Sequence, residues 1–479
     1  MSVGPALPIL VPMAWAALVA LVPSGRVRPR LLPACALTQL VAVGLAFRSP
    51  DRTALDGWLV LDPLARVVVL TVSVLFLFLA LYAPAYLRLR HDRPNRLFCG
   101  CLCLLLAMLN LGAMAHHLGL MWVALEATTL CCAPLLYFNQ SPRALEAVWK
   151  YLLVCSVGIA LALLGSFLLA YSALKGGGEP SLLFDDLIAR APSLSTPWLH
   201  AAFVTLLVGY GTKMGLAPMH TWKPDAYGEA PGLVGAMMAG GVTSAAFLAI
   251  LRFQAIVTAA GGADFARPIL IGMGLLSMLF AAVFVAAQKD FKRMLAYSSV
   301  EHMGLLALGA GIGGLALFGA LLHLLNNALT KGVLFLSAGN LHRAFGSKSS
   351  ERVSGALHVT PWSAGLFLAG FLAIIGTPPF GPFLSVFTII RGALAGAQPW
   401  LALPLLLLLL AVFLGVGRTV LAVVHGSAPE GVASAHRDSV GLVAPVVLLL
   451  LLVLLLGVWL PAPLVDLLQE AVAYLEVGR

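Results

Sequence analysis

The stretch Gly209-Tyr-Gly-Thr-Lys213-Met-Gly-Leu-Ala-Pro218-Met-His220-Thr-Trp-Lys-Pro-Asp225-Ala-Tyr-Gly-Glu229-Ala-Pro231 begins inside an apolar span that opens near Trp198. Lys213 falls about fifteen residues into that span, which at ~1.5 Å per residue is near the middle of a bilayer. Pro218 then breaks the helix before the crossing is complete. An ammonium in hydrocarbon costs at least ~2.5–3.5 kcal/mol, and more if it neither snorkels nor pairs. The backbone groups freed by the break need protein or water as partners. A segment that only spans needs neither feature; a path for ions uses both.

The rest of the chain is written in the same apolar alphabet. Of 479 residues, 61% are hydrophobic and only 10% are charged, against about 25% charged in soluble domains. Long apolar runs recur and none alternates with period two, so the expected class is an all-α polytopic membrane protein rather than a barrel. The net charge of +9 does not call for nucleic acid, because the basic residues sit in short loops as the positive-inside rule expects. No basic residue precedes the first span, which reads as a helix and not as a cleavable signal. Seven cysteines (Cys35, Cys99, Cys101, Cys103, Cys131, Cys132 and Cys155) lie in apolar runs without zinc or iron–sulfur spacing. With no haem or flavin motif either, no cofactor and no metal is expected.

Roughly fourteen transmembrane helices are expected from the apolar runs. Those over 198–222 and 361–390 are interrupted, the second at Pro378-Pro379-Phe-Gly-Pro382. The two lie five spans apart and so run in opposite directions. That is the pattern of two inverted-topology five-helix repeats, each containing a broken helix, with a site near the midplane. The expected organisation is an N-terminal three-helix segment (1–96), a first repeat (97–257), a second repeat (258–424) and a C-terminal helix and tail (425–479). Loops after odd-numbered spans carry Arg26, Arg28 and Arg30, then Arg88 to Arg96, Arg143, Lys289 to Arg293, and Arg343 to Arg352. This places them in the cytoplasm and both termini on the outer side of the membrane. The segment from Pro461 to Arg479 reads as a surface helix or tail without chemistry.

Several ionisable residues stand inside apolar spans. Glu126 lies about ten residues into the fifth, where a buried carboxylate pairs with a cation or takes a proton. Lys213 is its matching cation; loosening the pair would release a proton, while the alternative is a structural ion pair. Lys331 lies in the eleventh span, two turns after His323 and on the same face. His323 reads equally as relay or as a satisfied interhelical histidine. Glu301 and His302 are adjacent in the tenth span, about 100° apart, so they cannot both face one path squarely. His302 is favoured as the relay because its ordinary pKa is nearest neutral; Glu301 orients it or faces a neighbouring subunit. His220, Asp225 and Glu229 follow the first break and either cap it or line a water-filled mouth. Arg418 sits near a span end, where it can snorkel.

Four motifs carry a resemblance. They are Trp122-Val-Ala-Leu-Glu126-Ala-Thr-Thr; Gly211-Thr-Lys213 through Pro218-Met-His220-Thr-Trp222 to Asp225; Asp290-Phe-Lys-Arg293 through Tyr297-Ser-Ser-Val-Glu301-His302-Met-Gly304; and Asn326-Asn-Ala-Leu-Thr-Lys331-Gly. Over roughly residues 60 to 425 the chain resembles the antiporter-like proton-pumping subunits of complex I, multisubunit Na+/H+ antiporters and group 4 [NiFe] hydrogenases, and most of all the component F branch of hydrogenase 4. The resemblance implies a water-linked row of charges, with Glu126 and Lys213 as the glutamate–lysine pair and His302 and Lys331 as second-half relay positions. It implies partners: other membrane-arm subunits and a soluble redox arm of hydrogenase-like subunits and Fe–S proteins. The chain departs from the family pattern at Ser244, at Asn327 and at Val386, where relatives often carry ionisable groups, and Arg391 is too basic to release a proton.

The function expected is a proton-translocating membrane-arm subunit of a group 4 hydrogenase or related complex I-like oxidoreductase, with no redox site of its own. The alternatives are a subunit of a cation/proton antiporter complex, a proton-conducting module of an inorganic-carbon uptake complex, and a degenerate scaffold.

Overall fold

The computed structural model describes residues 4–428 and 437–476; the termini Met1 and Arg479, expected on the outer side, lie outside them. Apolar periodic runs become helices throughout. In order they are α1 (Leu7–Leu21), α2 (Arg28–Arg48), α3 (Pro63–Arg88), α4 (Arg96–Met114), α5 (Leu118–Leu136), α6 (Pro142–Lys175), α7 (Phe184–Ala189), α8 (Thr196–Met214), α9 (Trp222–Glu229), α10 (Gly232–Met237) and α11 (Thr243–Ala259). There follow α12 (Ala263–Ala286), α13 (Phe291–Ile312), α14 (Leu315–Phe345), α15 (Ala356–Val359), α16 (Pro361–Ile374), α17 (Gly381–Ala395), α18 (Ala402–Val424), α19 (Val440–Val458) and α20 (Ala462–Leu475). A π turn over Met238–Val242 joins α10 to α11. A two-residue ribbon pairs Thr53–Ala54 with Leu59–Val60 ahead of α3.

Among the described residues, eleven helical stretches are long and apolar enough to cross a membrane. α8 and α13 fall outside that set, as do α16 and α17, which are shorter apolar helices. Both expected breaks are present: α8 stops at Met214 and α9 restarts at Trp222, and α16 stops at Ile374 before α17 starts at Gly381.

Two helix pairs set the frame around these breaks, and both close on glycine. A Cβ on Gly209 of α8 would stand 2.6 Å from the backbone nitrogen of Ala162 in α6. One on Gly304 of α13 would stand 2.6 Å from the Gly274 carbonyl of α12. Small residues let backbones touch, which is how helices gain packing where lipid offers no hydrophobic drive. α8 and α13 are therefore held rigidly, and they carry Lys213 and the Glu301-His302 pair.

The C-terminal segment is more than a surface tail. α20 buries Leu468 and Ala471, and the Glu476 carboxylate accepts a 2.7 Å hydrogen bond from the Gly314 N–H ahead of α14. Its apolar stripe is short, but it covers the end of α3.

Candidate functional site

The first break is closed by protein groups. Gly215 takes a left-handed φ of 80°, which glycine adopts without steric cost, and its N–H returns to the Gly211 carbonyl at 2.7 Å. The Ala217 N–H donates to Ser277 Oγ of α12 at 2.9 Å. The Trp222 indole N–H donates to the Thr212 carbonyl at 2.8 Å. These contacts give protein partners to backbone groups that the break frees inside a membrane.

In the first half, Thr129 stands between Glu126 and Lys213. Its hydroxyl donates to Glu126 Oε2 at 2.9 Å and accepts a hydrogen bond from Lys213 Nζ. Lys213 is buried, with its ammonium 5.7 Å from the centre of the Tyr151 ring. The glutamate and lysine expected as a direct pair are therefore linked through a hydroxyl. Glu126 is also not the buried carboxylate expected: it is part-exposed. α5 lies at the edge of the bundle, and Val123 and Leu130 on the same face are 51% and 63% exposed. An apolar run reveals depth in the membrane but not which way a side chain points.

In the second half, Lys331 is enclosed completely. Its ammonium donates to Ser298 Oγ at 2.9 Å and lies 3.4 Å from the Leu295 carbonyl. Glu301 and His302 are both enclosed within the chain, 4% and 1% exposed, with 3.8 Å between Glu301 Oε2 and His302 Nε2. Glu301 does not face outward to a neighbour; the packing of α13 buries its whole circumference. From His302 a chain of hydrogen bonds leads on. His302 Nδ1 and His323 Nε2 share one of 3.0 Å, and His323 Nδ1 and Ser385 Oγ share one of 2.8 Å. Ser385 in turn donates to the Pro382 carbonyl at 3.0 Å, so its oxygen accepts from His323. This path ends at the second break, whose Gly381 carbonyl is held by the Asn326 side-chain amide at 2.9 Å.

The three residues after the first break separate. Asp225 accepts from Lys150 Nζ at 2.9 Å and pairs with Arg293 at 3.1 Å, and Glu229 pairs with Lys348 at 2.7 Å. Both line a cavity of about 450 Å³ at the face that carries the basic loops. His220 is not there. Its ring packs against Phe280 and Tyr297, with centroids 5.6 and 6.1 Å away.

Of the departures, Ser244 donates to the Gly240 carbonyl of its own helix at 2.5 Å. Asn327 is buried with its side-chain oxygen unpartnered. Val386 is buried and Arg391 exposed.

Three groups are found only in the structure. Lys223 is 0% exposed and donates to Ser299 Oγ at 3.2 Å, although it stands between Trp222 and Pro224 in a stretch that reads as surface. Ser385, beside Val386, carries no signal in the sequence. On the face opposite the basic loops, Asp62 accepts from Arg252 Nη2 and pairs with His116, each at 2.7 Å. Asp62 also caps α3 through the Ala65 N–H at 2.5 Å. Burial alone would raise the Asp62 carboxyl, but Arg252 and His116 outweigh it and hold the group well below the usual carboxylate range. The signal available in the sequence is Arg252, an arginine inside an apolar span.

Comparison with known proteins agrees with this architecture. The chain is 36% identical over 401 residues to a hydrogenase-4 component F homolog of Methylacidiphilum infernorum, covering 82% of this chain and 81% of that one. It is 35% identical over 365 residues to NADH-quinone oxidoreductase subunit N of Desulforudis audaxviator, covering 74% and 71%. Its fold matches a chain of the membrane-bound sulfane sulfur reductase, an archaeal respiratory membrane complex, with TM-score 0.87 over 99% of this chain and 98% of that one at 23% identity. Residues 115–414 match the family described as NADH:quinone oxidoreductase/Mrp antiporter, TM. With that match across more than half of its length, the chain belongs to the NADH:quinone oxidoreductase/Mrp antiporter family of membrane subunits.

Proposed function

We propose that this chain is a proton-translocating membrane-arm subunit of a group 4 hydrogenase or related complex I-like oxidoreductase. The observation that carries the reading is the row of enclosed ionisable groups running past both helix breaks: Lys213, Lys331, Glu301, His302 and His323, with Glu126 at its edge. The chain supplies no redox centre in this reading. A soluble arm carries the electrons and neighbouring membrane subunits abut Glu126, whose part-exposed position suits such a contact. The fourteen-span architecture, the two inverted repeats over 97–257 and 258–424, and the outward termini in a prokaryotic inner membrane belong to the same proposal. It is supported by the two breaks and by the basic loops gathered at one face.

The mechanism uses the hydroxyl link. When a neighbouring subunit changes the field at Glu126, the Thr129 bridge lengthens and the Lys213 ammonium loses its acceptor. Lys213 then passes its proton inward, and Lys331, His302 and His323 carry it to Ser385 at the second break. A hydroxyl accepts and donates at once and an imidazole does so through its two nitrogens, so each station can pass a proton without moving its backbone.

The test is made on the complex from native membranes. Mass spectrometry in mild detergent should find hydrogenase-like or complex I-like soluble subunits, and Lys213→Met should abolish redox-driven proton uptake in inverted vesicles. Undiminished uptake would overturn the relay, and membrane subunits alone would favour a gradient-driven antiporter. That second reading is kept because the family description also names Mrp antiporters.

A further inference from the structure

We propose that Lys223 is the proton carrier that joins the two halves of the row. This rests on the proton-translocating reading above. The residue stands in α9, just past the first break, and its side chain turns back across that break. A Cβ on Gly215 would overlap Lys223 Cε and approach its Nζ to 2.8 Å. The ammonium therefore lies beside the backbone two residues beyond Lys213. On its other side it donates to Ser299 Oγ at 3.2 Å, while Lys331 donates to Ser298 Oγ at 2.9 Å. Two lysines from different helices thus hang from consecutive serines of α13.

A structural role accounts poorly for this arrangement. Among the described residues no carboxylate forms an ion pair with Lys223, and the Tyr227 ring 5.8 Å away is its one cation–π partner. A buried cation without a counter-charge is costly, and an apolar side chain of similar volume would hold the fold as well or better. Two enclosed ammonium groups so placed repel each other, so the pair is best occupied by one proton at a time. That is the condition for handing it on. In the transfer one proton leaves the Lys223 ammonium by way of the Ser299 hydroxyl, a bridging water carries it across, and one arrives by way of Ser298 at a neutral Lys331 amine; no electron moves. Ser244, hydrogen-bonded to its own helix, takes no part, and the link between halves comes from α9.

The experiment compares Lys223→Leu, Lys223→Arg and Lys223→His in the intact complex, reading protons taken up per electron transferred in inverted vesicles. Lys213→Met and Lys331→Met are run in parallel. Arginine keeps the charge and the contact with Tyr227 but does not release its proton. Leu and Arg are each expected to lower uptake by at least about tenfold, and His to restore part of it. Wild-type uptake from the Arg variant overturns the proposal, and that variant decides the matter if Leu does not assemble. If the Lys213 and Lys331 variants abolish uptake while the Lys223 variants do not, only the bridging role fails. If all of them leave uptake intact, the proton-translocating reading fails and takes this proposal with it.

Discussion

The molecule buries charge in two places and in opposite ways. On the face opposite the basic loops, Asp62 is gripped by Arg252 and His116 at 2.7 Å each, and Arg252 also donates to the Ala115 and Ala113 carbonyls at 2.6 and 2.8 Å. Along the central row, Lys213, Lys223 and Lys331 are equally enclosed, yet they rest on the hydroxyls of Thr129, Ser299 and Ser298. The first arrangement pairs charge with charge and ties α11 to the end of α3. The second leaves cations on groups that both give and take protons. Burial does not separate the two sets; on the proposed proton-translocating role, the nature of the partner separates structural from conducting charge.

If that distinction is right, the two sets should fail differently. Arg252→Leu leaves the Asp62 carboxylate enclosed without its main counter-charge, which typically costs about 3–5 kcal/mol. A large drop in the melting temperature of the purified complex is expected, with unchanged proton uptake per assembled molecule. Lys331→Met should do the reverse: redox-driven uptake falls about a hundredfold, while melting stays level or rises because an enclosed cation is gone. A Lys331→Met complex that melts as early as Arg252→Leu would erase the contrast.

A smaller effect is expected at the far end of the row. His323→Leu cuts the path between His302 and Ser385 and should lower uptake about tenfold. Ser385→Ala removes only the last hydroxyl, which a water molecule can replace, so a loss of a few-fold is expected. If Ser385→Ala costs more than His323→Leu, protons reach the second break by another route.

How far all this could be read from the sequence follows from what each feature depends on. The two breaks were legible because proline and glycine act locally, at Pro218 and at Pro378-Pro379. Lys213, Lys331, Glu301 and His302 were legible because each interrupts a long apolar run. Lys223 was not, since it precedes a proline, Asp225 and Glu229, a composition that reads as surface. Its burial is created by α13 and by the absence of a side chain at Gly215. The Asp62–Arg252 contact joins residues 190 apart, and no local pattern announces it. The outward lean of Glu126 depends on where α5 sits in the bundle, which an apolar run cannot encode.

The smallest expected effect tests the paired set by pH. The Asp62 carboxyl is held below its usual range in the folded chain, while in the unfolded chain it titrates near the ordinary ~3.9. A depressed folded value means that the unfolded state binds the proton first, so the stability this group contributes is complete above the unfolded value. It fades only as pH falls below that value towards the folded one. Between about pH 5 and 8 the gap in melting temperature between the wild type and Asp62→Asn should therefore stay constant, and it should narrow only below about pH 4. Asp185, part of the same cluster, is held low chiefly by its hydrogen bond to His116 and titrates in the same sense, so Asp62→Asn in an Asp185→Asn background isolates the buried member. A gap that already closes near neutral pH would mean that its partners do not hold the Asp62 carboxyl low. Charge would then not be firmly paired with charge at this site, and the contrast with the central row would be lost.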